Sequence, residues 1–352
     1  MPGRNRRRHP DVSTTTGTAP ATTSGAPTMH RPTSVALLAT LAVGAALAVP
    51  AQAAAPTADL QPDRLARGAD IAVPHIEDGV FVDGERRLEL PGTEAETVGA
   101  SLGGWMVATH RTNGVGETRG HRVVHVTPSG TVRTVLRDIG PTTVVVSEDG
   151  SALLGVSQTG RSRATVKQWS PVTGTLSTSR SFRGYPEVVA ADGVKVLLRT
   201  TTRTFFWKFA KDRVRRPLTT RLTGLASIEH DLLATYTQDP YLGGCTRLAR
   251  LRHPKVTVWK SCTDRVAAIS PDGTQMLTFG ILTDGLGPGE MHLREIDGTK
   301  LATYTTSWFS GWEWESPTAV LLDVNGQRES ATVRCTLAAC ENATDPVKVE
   351  AP

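Results

Sequence analysis

The chain has 352 residues, of which 39% are hydrophobic and 5% aromatic, with 39 Lys and Arg against 34 Asp and Glu and only four cysteines. Five of the arginines and one of the acids lie within residues 1–53, which leaves 34 bases against 33 acids in the remainder. That near-neutral body excludes the basic face needed to neutralise phosphates, and with it a nucleic-acid partner. The local basic runs at 211–216 and 247–255 are then solvated strand faces.

Residues 1–28 read as an upstream extension, because Met29 with His30 and Arg31 makes a start of its own. Residues 29–53 read as a secretory signal peptide: the uncharged run VALLATLAVGAALAV, then Pro50 and the small-residue site Ala51-Gln52-Ala53. The run has 15 residues, short of the roughly 20 that span a bilayer. A mature chain starting at Ala54 is expected, secreted and outside the cytoplasm, without stable membrane insertion. No cysteine near that point suggests a lipid anchor.

Residues 54–69 form a polar linker in this reading, and 70–350 a single domain. The segment 70–91, DIAVPHIEDGVFVDGERRLELP, carries two or three short strands with turns at Asp78-Gly79 and Asp83-Gly84, too few for a full repeat unit. It is placed to complete a ring beside the C-terminal unit.

Beyond it a pattern recurs, clearest at 265–279, RVAAISPDGTQMLTF. Apolar residues run into Ser270-Pro271-Asp272-Gly273 and out again through Met276, Leu277 and Phe279, which is a β-hairpin. Pro271 presets φ, Asp272 hydrogen-bonds nearby amides and Gly273 takes the positive φ. Related turns centre near Gly103, Asp149, Asp192, His230 and Ser316, a spacing of roughly 38 to 46 residues that suits four-stranded propeller blades. A second hairpin follows each first one, as at 291–306, where Asp297-Gly298 separates two alternating runs. Two hairpins per period make four strands.

The repeats resemble blades of a TolB-like or WD-repeat-like β-propeller, whose inner hairpin carries an SPDG turn. Ser270 to Gly273 matches in full, Ser147-Glu148-Asp149-Gly150 and Ala190-Ala191-Asp192-Gly193 in part, and the Gly-His and Trp-Asp marks of true WD repeats are missing. The resemblance implies an all-β scaffold of six or seven four-stranded blades, seven with one incomplete being the better fit. It implies no single function, since such propellers include both binding proteins and enzymes.

Cys245 and Cys262 stand equidistant from the hairpin tip at His253-Pro254, and Cys335 and Cys340 bracket a four-residue connection. The pairings Cys245–Cys262 and Cys335–Cys340 are therefore expected, each stapling its own blade in the oxidising surroundings that export provides.

In a blade of strands a to d, the b–c and d–a connections share a face, and the b–c connections at 110–121, 158–163, 238–244 and 283–290 read as long and Gly-rich. Loops on a rigid scaffold carry recognition. The candidate binding residues are Asn113, Glu117, Arg119, His121, Arg161, Asp239, Tyr241, Asp284 and Glu290. Trp308, Trp312 and Trp314 share strand parity, as either a platform for sugar rings or aromatics buried between sheets.

No G-x-S-x-G elbow, HExxH, P-loop or EF-hand loop occurs, so no metal or cofactor is expected; catalytic residues stay unassigned, because a propeller site brings together residues from several blades that are far apart in sequence. The function expected is an exported, monomeric scaffold binding a protein or envelope glycan. The alternative is a propeller hydrolase or lyase acting on a carbohydrate, lactone or peptide.

Overall fold

The structure is a computed structural model that describes residues 54–139 and 143–349; the extension and signal peptide expected within 1–53 lie outside the described residues. Alternating apolar residues and Gly- or Asp-bearing turns break the described residues into 29 short strands. Each strand after β1 pairs antiparallel, because a turn of a few residues returns the chain only to the neighbouring position.

The strands form seven sheets. Blade 1 has three strands, β2 (His75–Glu77), β3 (Val80–Asp83) and β4 (Arg86–Leu88). Blade 2 is β5 (Glu94–Ser101), β6 (Gly104–Thr112), β7 (Thr118–Val126) and β8 (Val132–Arg137). Blade 3 is β9 (Thr143–Val146), β10 (Leu153–Gly160), β11 (Arg163–Trp169) and β12 (Leu176–Arg183). Blade 4 is β13 (Glu187–Ala191), β14 (Lys195–Arg199), β15 (Thr204–Lys208) and β16 (Arg213–Val214). Blade 5 is β17 (Thr223–Ser227), β18 (Leu232–Tyr236), β19 (Thr246–Arg250) and β20 (Thr257–Ser261). Blade 6 is β21 (Asp264–Ile269), β22 (Gln275–Gly280), β23 (Glu290–Glu295) and β24 (Lys300–Thr305). Blade 7 is β25 (Trp308–Trp314), β26 (Val320–Asn325), β27 (Glu329–Thr336) and β28 (Ala339–Asn342), with β29 (Val347–Lys348) added to β27. First strands of neighbouring blades lie against one another (β2 on β5, β5 on β9, β13 on β17, β17 on β21), so strand a lines the centre of a seven-bladed propeller. The core is the packing of blade on blade: Leu154, Val166, Val196 and Trp207 bury together between blades 3 and 4. Leu277, Met291, Phe309 and Leu322 do the same between blades 6 and 7.

The Ser-x-Asp-Gly turns share one hydrogen-bond pattern. Ser270 Oγ donates to Asp272 Oδ1 at 2.7 Å and accepts from Gln275 N at 2.9 Å, and Gly273 adopts φ 71°. In blade 3, Ser147 Oγ donates to Asp149 at 2.6 Å and accepts from Ala152 N at 2.9 Å. A side chain at Gly273 would also meet the His230 ring of the preceding blade at 2.5 Å, so both conformation and space require glycine there.

The ring closes differently from the sequence expectation. Segment 70–91 forms blade 1, the incomplete unit expected beside the C-terminal blade, and the difference lies in residues 54–69. Residues 54–69, read as a linker, supply β1 (Thr57–Asp59), which pairs parallel with the outer strand β24 and buries Leu60 completely. Arg67 then bridges to Asn342 of blade 7. Asn342 Nδ2 donates to the carbonyls of Pro62 and Leu65. Arg334 holds the crossing chain: its guanidinium pairs with Glu315 and with Glu341 at 2.9 Å, and donates to the carbonyls of Ala69 and Asp70 at 2.9 and 2.8 Å.

Both disulfides form as expected, Cys245–Cys262 and Cys335–Cys340. The tryptophan stripe does not survive. A β-bulge between Phe309 and Gly311 inserts one residue, which turns Trp308 to the face opposite Trp312 and Trp314. Those two pack with Phe309 in the core.

Candidate functional site

The two ends of the propeller differ. On the a–b side the turns grip one another: Glu148 accepts from Ser227 Oγ, Ile228 N and Glu229 N at 2.8 to 2.9 Å, reaching from blade 3 to blade 5. Asp149 Oδ2 accepts from Gly193 N at 2.9 Å. Burial works against the Asp149 carboxylate, but donors from Ser147, Gly193 and Ser151 outweigh it and hold its pKa down at about 2.

The b–c side carries the nine candidate residues, in two groups. In blade 2, the predicted loop 110–121 is mostly strand, and its tip is self-satisfied. Asn113 Oδ1 accepts from Val115 N and Glu117 N, Glu117 takes Arg119 at 2.8 Å, and the His121 ring stacks on His110 with centroids 5.2 Å apart. Similarly, 158–163 is two strand ends joined at Arg161 and Ser162. Arg161 contributes its carbonyl to the Tyr185 hydroxyl at 2.5 Å.

In blades 5 and 6 the candidates meet. Asp239 accepts from Tyr241 N at 2.9 Å and fixes a single helical turn, and the Tyr241 hydroxyl donates to Asp284 Oδ2 at 3.2 Å, joining two b–c loops. Asp284 raises the Tyr241 pKa above its ordinary value, while Arg265 acts the other way. The Cys245–Cys262 bond braces the first loop. At Gly287 in the second, a side chain would strike the Phe309 carbonyl at 2.1 Å. These loops hold Tyr241, Leu242, Leu282 and Leu286 out in solvent at 67, 74, 52 and 75% exposure, a concentration of large apolar groups beyond scattered surface residues. Glu290 stands apart, its Oε1 3.2 Å from His292 Nε2.

Beside this patch, the mouth of the central channel opens into a cavity of about 460 Å³ lined by Arg199, Arg265, Glu187, Leu225, Phe279 and Trp312, among others. Arg199 pairs with Glu187. The Arg265 guanidinium lies 4.3 Å from the Phe279 ring centre, and Phe279 packs on Trp312 at 5.3 Å. None of these lining residues was among the nine candidates. The available signal was a charge opening an otherwise apolar first strand, Arg265 before Val266-Ala267-Ala268-Ile269.

A second, larger cleft of about 970 Å³ separates blade 1 from blade 7 and includes His75 and Asp323. An adjoining space of about 450 Å³ adds Glu96 and Glu313. Glu313 reaches solvent through the cleft but is closely surrounded by protein. That desolvation raises its pKa from the ordinary value, with Asp323 adding to the shift and His75 opposing it.

Among the described residues no cluster of His, Cys, Asp and Glu suits a metal ion, and no helix is long and apolar enough to cross a membrane.

The class is now defined: the described residues form a seven-bladed β-propeller. Neither a family model nor a curated protein sequence matches it. Solved structures do. An uncharacterised protein of Listeria monocytogenes EGD-e is similar at 12% identity over 75% of this chain and 87% of that one, with TM-score 0.52. A chain of the mitotic checkpoint complex is similar at 14% identity over 83% and 89%, with TM-score 0.48. TolB from Acinetobacter baumannii is similar at 13% identity over 62% and 57%, with TM-score 0.42. At 12% identity the likeness to the Listeria protein bears on the fold alone.

Proposed function

We propose that the protein is an exported binding scaffold that recognises a protein partner through the b–c face of blades 5 and 6. The observation that carries this is the set of four exposed apolar side chains, Tyr241, Leu242, Leu282 and Leu286, on loops fixed by a disulfide, a capping aspartate and a close glycine contact. Preorganised loops lose little entropy on docking, and an aromatic anchor with aliphatic neighbours supplies the buried centre of an interface. An apolar patch suits a protein better than a glycan, and the bulge that splits the tryptophan stripe removes the flat platform a glycan would use.

Two disulfides fit an oxidising compartment, in agreement with the leader read from the sequence. The test is a pull-down in which the exported protein, expected to begin at Ala54 on N-terminal sequencing, is immobilised and offered envelope and secreted fractions. Retention by the wild type and its loss in a Tyr241→Ser, Leu242→Ser, Leu286→Ser variant with unchanged melting temperature is the expected result. Equal retention by both removes the proposal.

A second reading, a carbohydrate hydrolase or lyase, is favoured by one observation: Glu313 with its raised pKa in the same cleft as Asp323, the differentiated carboxylate environments that acid–base chemistry uses. Turnover of envelope polysaccharide, abolished in Glu313→Gln, is its test.

A further inference from the structure

Among the described residues Arg265 forms no direct ion pair with a carboxylate. Its chain neighbour Asp264 pairs with Arg294 at 2.6 Å, and Asp284, which takes the Tyr241 hydroxyl, makes no direct ion pair with it. Its one hydrogen bond among the described residues goes from Nη2 to the Thr283 carbonyl at 2.8 Å. Its Nε is buried with no acceptor at all. A half-buried guanidinium left this way is costly unless something supplies the missing acceptors.

The surroundings specify what that something is. The planar group lies over the Phe279 ring, fixed in orientation, and a fixed guanidinium edge matches a carboxylate through two parallel hydrogen bonds. Two guanidinium groups face one acid in the cavity, Arg199 and Arg265 against Glu187, so a single negative charge restores neutrality and a doubly charged phosphate overshoots it. The rest of the wall is mixed, with apolar Leu225, Phe279 and Trp312 beside Thr200, Thr201 and Tyr236. Its volume of about 460 Å³ accommodates one side chain with its attached carboxylate.

We propose that the channel mouth is a carboxylate-recognition pocket, in which Arg265 binds a carboxylate of the partner while an adjacent apolar side chain packs on Phe279 and Trp312. This rests on the b–c face being the recognition surface and names the chemistry it selects.

The probes are N-acetyl-phenylalanine, its amide, and the amidated dipeptide N-acetyl-Glu-Phe, each titrated into the whole mature protein by calorimetry and by tryptophan emission. The expected result is saturable binding of a carboxylate-bearing probe and about tenfold or weaker binding of the phenylalanine amide, the scale of losing a charge-assisted bidentate pair. Preference for N-acetyl-phenylalanine assigns the carboxylate to a chain terminus, and preference for the dipeptide assigns it to an acidic side chain. Arg265→Gln loses the preference for acid over amide and Arg265→Lys retains part of it, with melting curves of both variants recorded alongside. Trp312→Leu keeps the preference while weakening every probe. Equal affinity for acid and amide, no saturation by any probe, or an unchanged preference in Arg265→Gln overturns the proposal. The two readings separate in the pull-down: a partner kept by Arg265→Gln but lost by the Tyr241, Leu242, Leu286 variant leaves the face standing and removes the carboxylate pocket.

Discussion

Two histidines set how this molecule responds to acid. His125 and His292 are buried, and burial lowers the pKa of both. Arg133 adds to the effect at His125. At His292 Lys300 and Arg294 add to it, against Asp264 and Glu290. The unfolded chain protonates its histidines at about 6.5, where the folded one resists. Their contribution to stability is therefore complete above that pH and is lost as pH falls through the lowered folded values. Asp149 opens a second window further down, with its contribution present above its unfolded value and lost as pH falls toward about 2. Thermal melts from pH 7.5 to 5.5 should show a falling midpoint, and His292→Gln should flatten that slope. A midpoint independent of pH in the wild type would falsify the assignment. At this scale the sequence was least informative. Asn113, Glu117 and Arg119 read as free loop groups because their types suit binding, yet they hydrogen-bond one another. Arg265, by contrast, carried no motif, since its significance lies in the absence of a partner that only three-dimensional packing establishes.

Hairpins, with their local chemistry, were far more legible than single side chains. The Ser-x-Asp-Gly turns formed where Asp and Gly stood, because a serine hydroxyl, an aspartate and a positive φ suffice to build them without help from distant residues. Loop lengths were harder. Glycine at 114, 116 and 120 suggested a long open connection, but strands tolerate glycine near their ends and the pairing runs on to Thr112 and Thr118. Bulges, too, depend on the neighbouring strand and cannot be counted from one strand alone, which is why the tryptophan parity failed. The disulfides belong to this scale, since each ties one blade. Chain-entropy reasoning gives about 3 kcal/mol for Cys245–Cys262 and about 2 for Cys335–Cys340, from separations of 17 and 5 residues. Urea unfolding of Cys262→Ser and Cys340→Ser should show that order, and Cys262→Ser alone should also weaken partner retention, because its bond braces the loop that carries Tyr241. Retention unchanged in Cys262→Ser would argue that the loop needs no brace.

For the whole molecule, a ring of seven with one incomplete blade was readable from the repeat spacing and the shortness of 70–91, whereas the manner of closure was not. Residues 54–69 are polar enough to pass for a tether, and nothing local announces a parallel partner more than 240 residues away. The clasp depends on Arg334, whose charge is stabilised first by Glu315 and also by Glu341 while burial opposes it. Replacing it by Met leaves the Glu315 carboxylate, which is largely buried, without its cation, at a cost of about 3 kcal/mol or more. Urea unfolding of Arg334→Met should register that loss, with the first segment becoming sensitive to protease before the blades do. If the variant unfolds at the wild-type midpoint, the clasp is incidental. The same architecture imposes an order on manufacture. β1 is synthesised first, and its partner β24 among the last elements, so the leading strand waits through five complete blades with Leu60 uncovered. A chain interrupted before Thr305 leaves β1 unpaired and Leu60 uncovered, which makes unfinished copies distinguishable from finished ones to any protease or chaperone that samples residues 57–60.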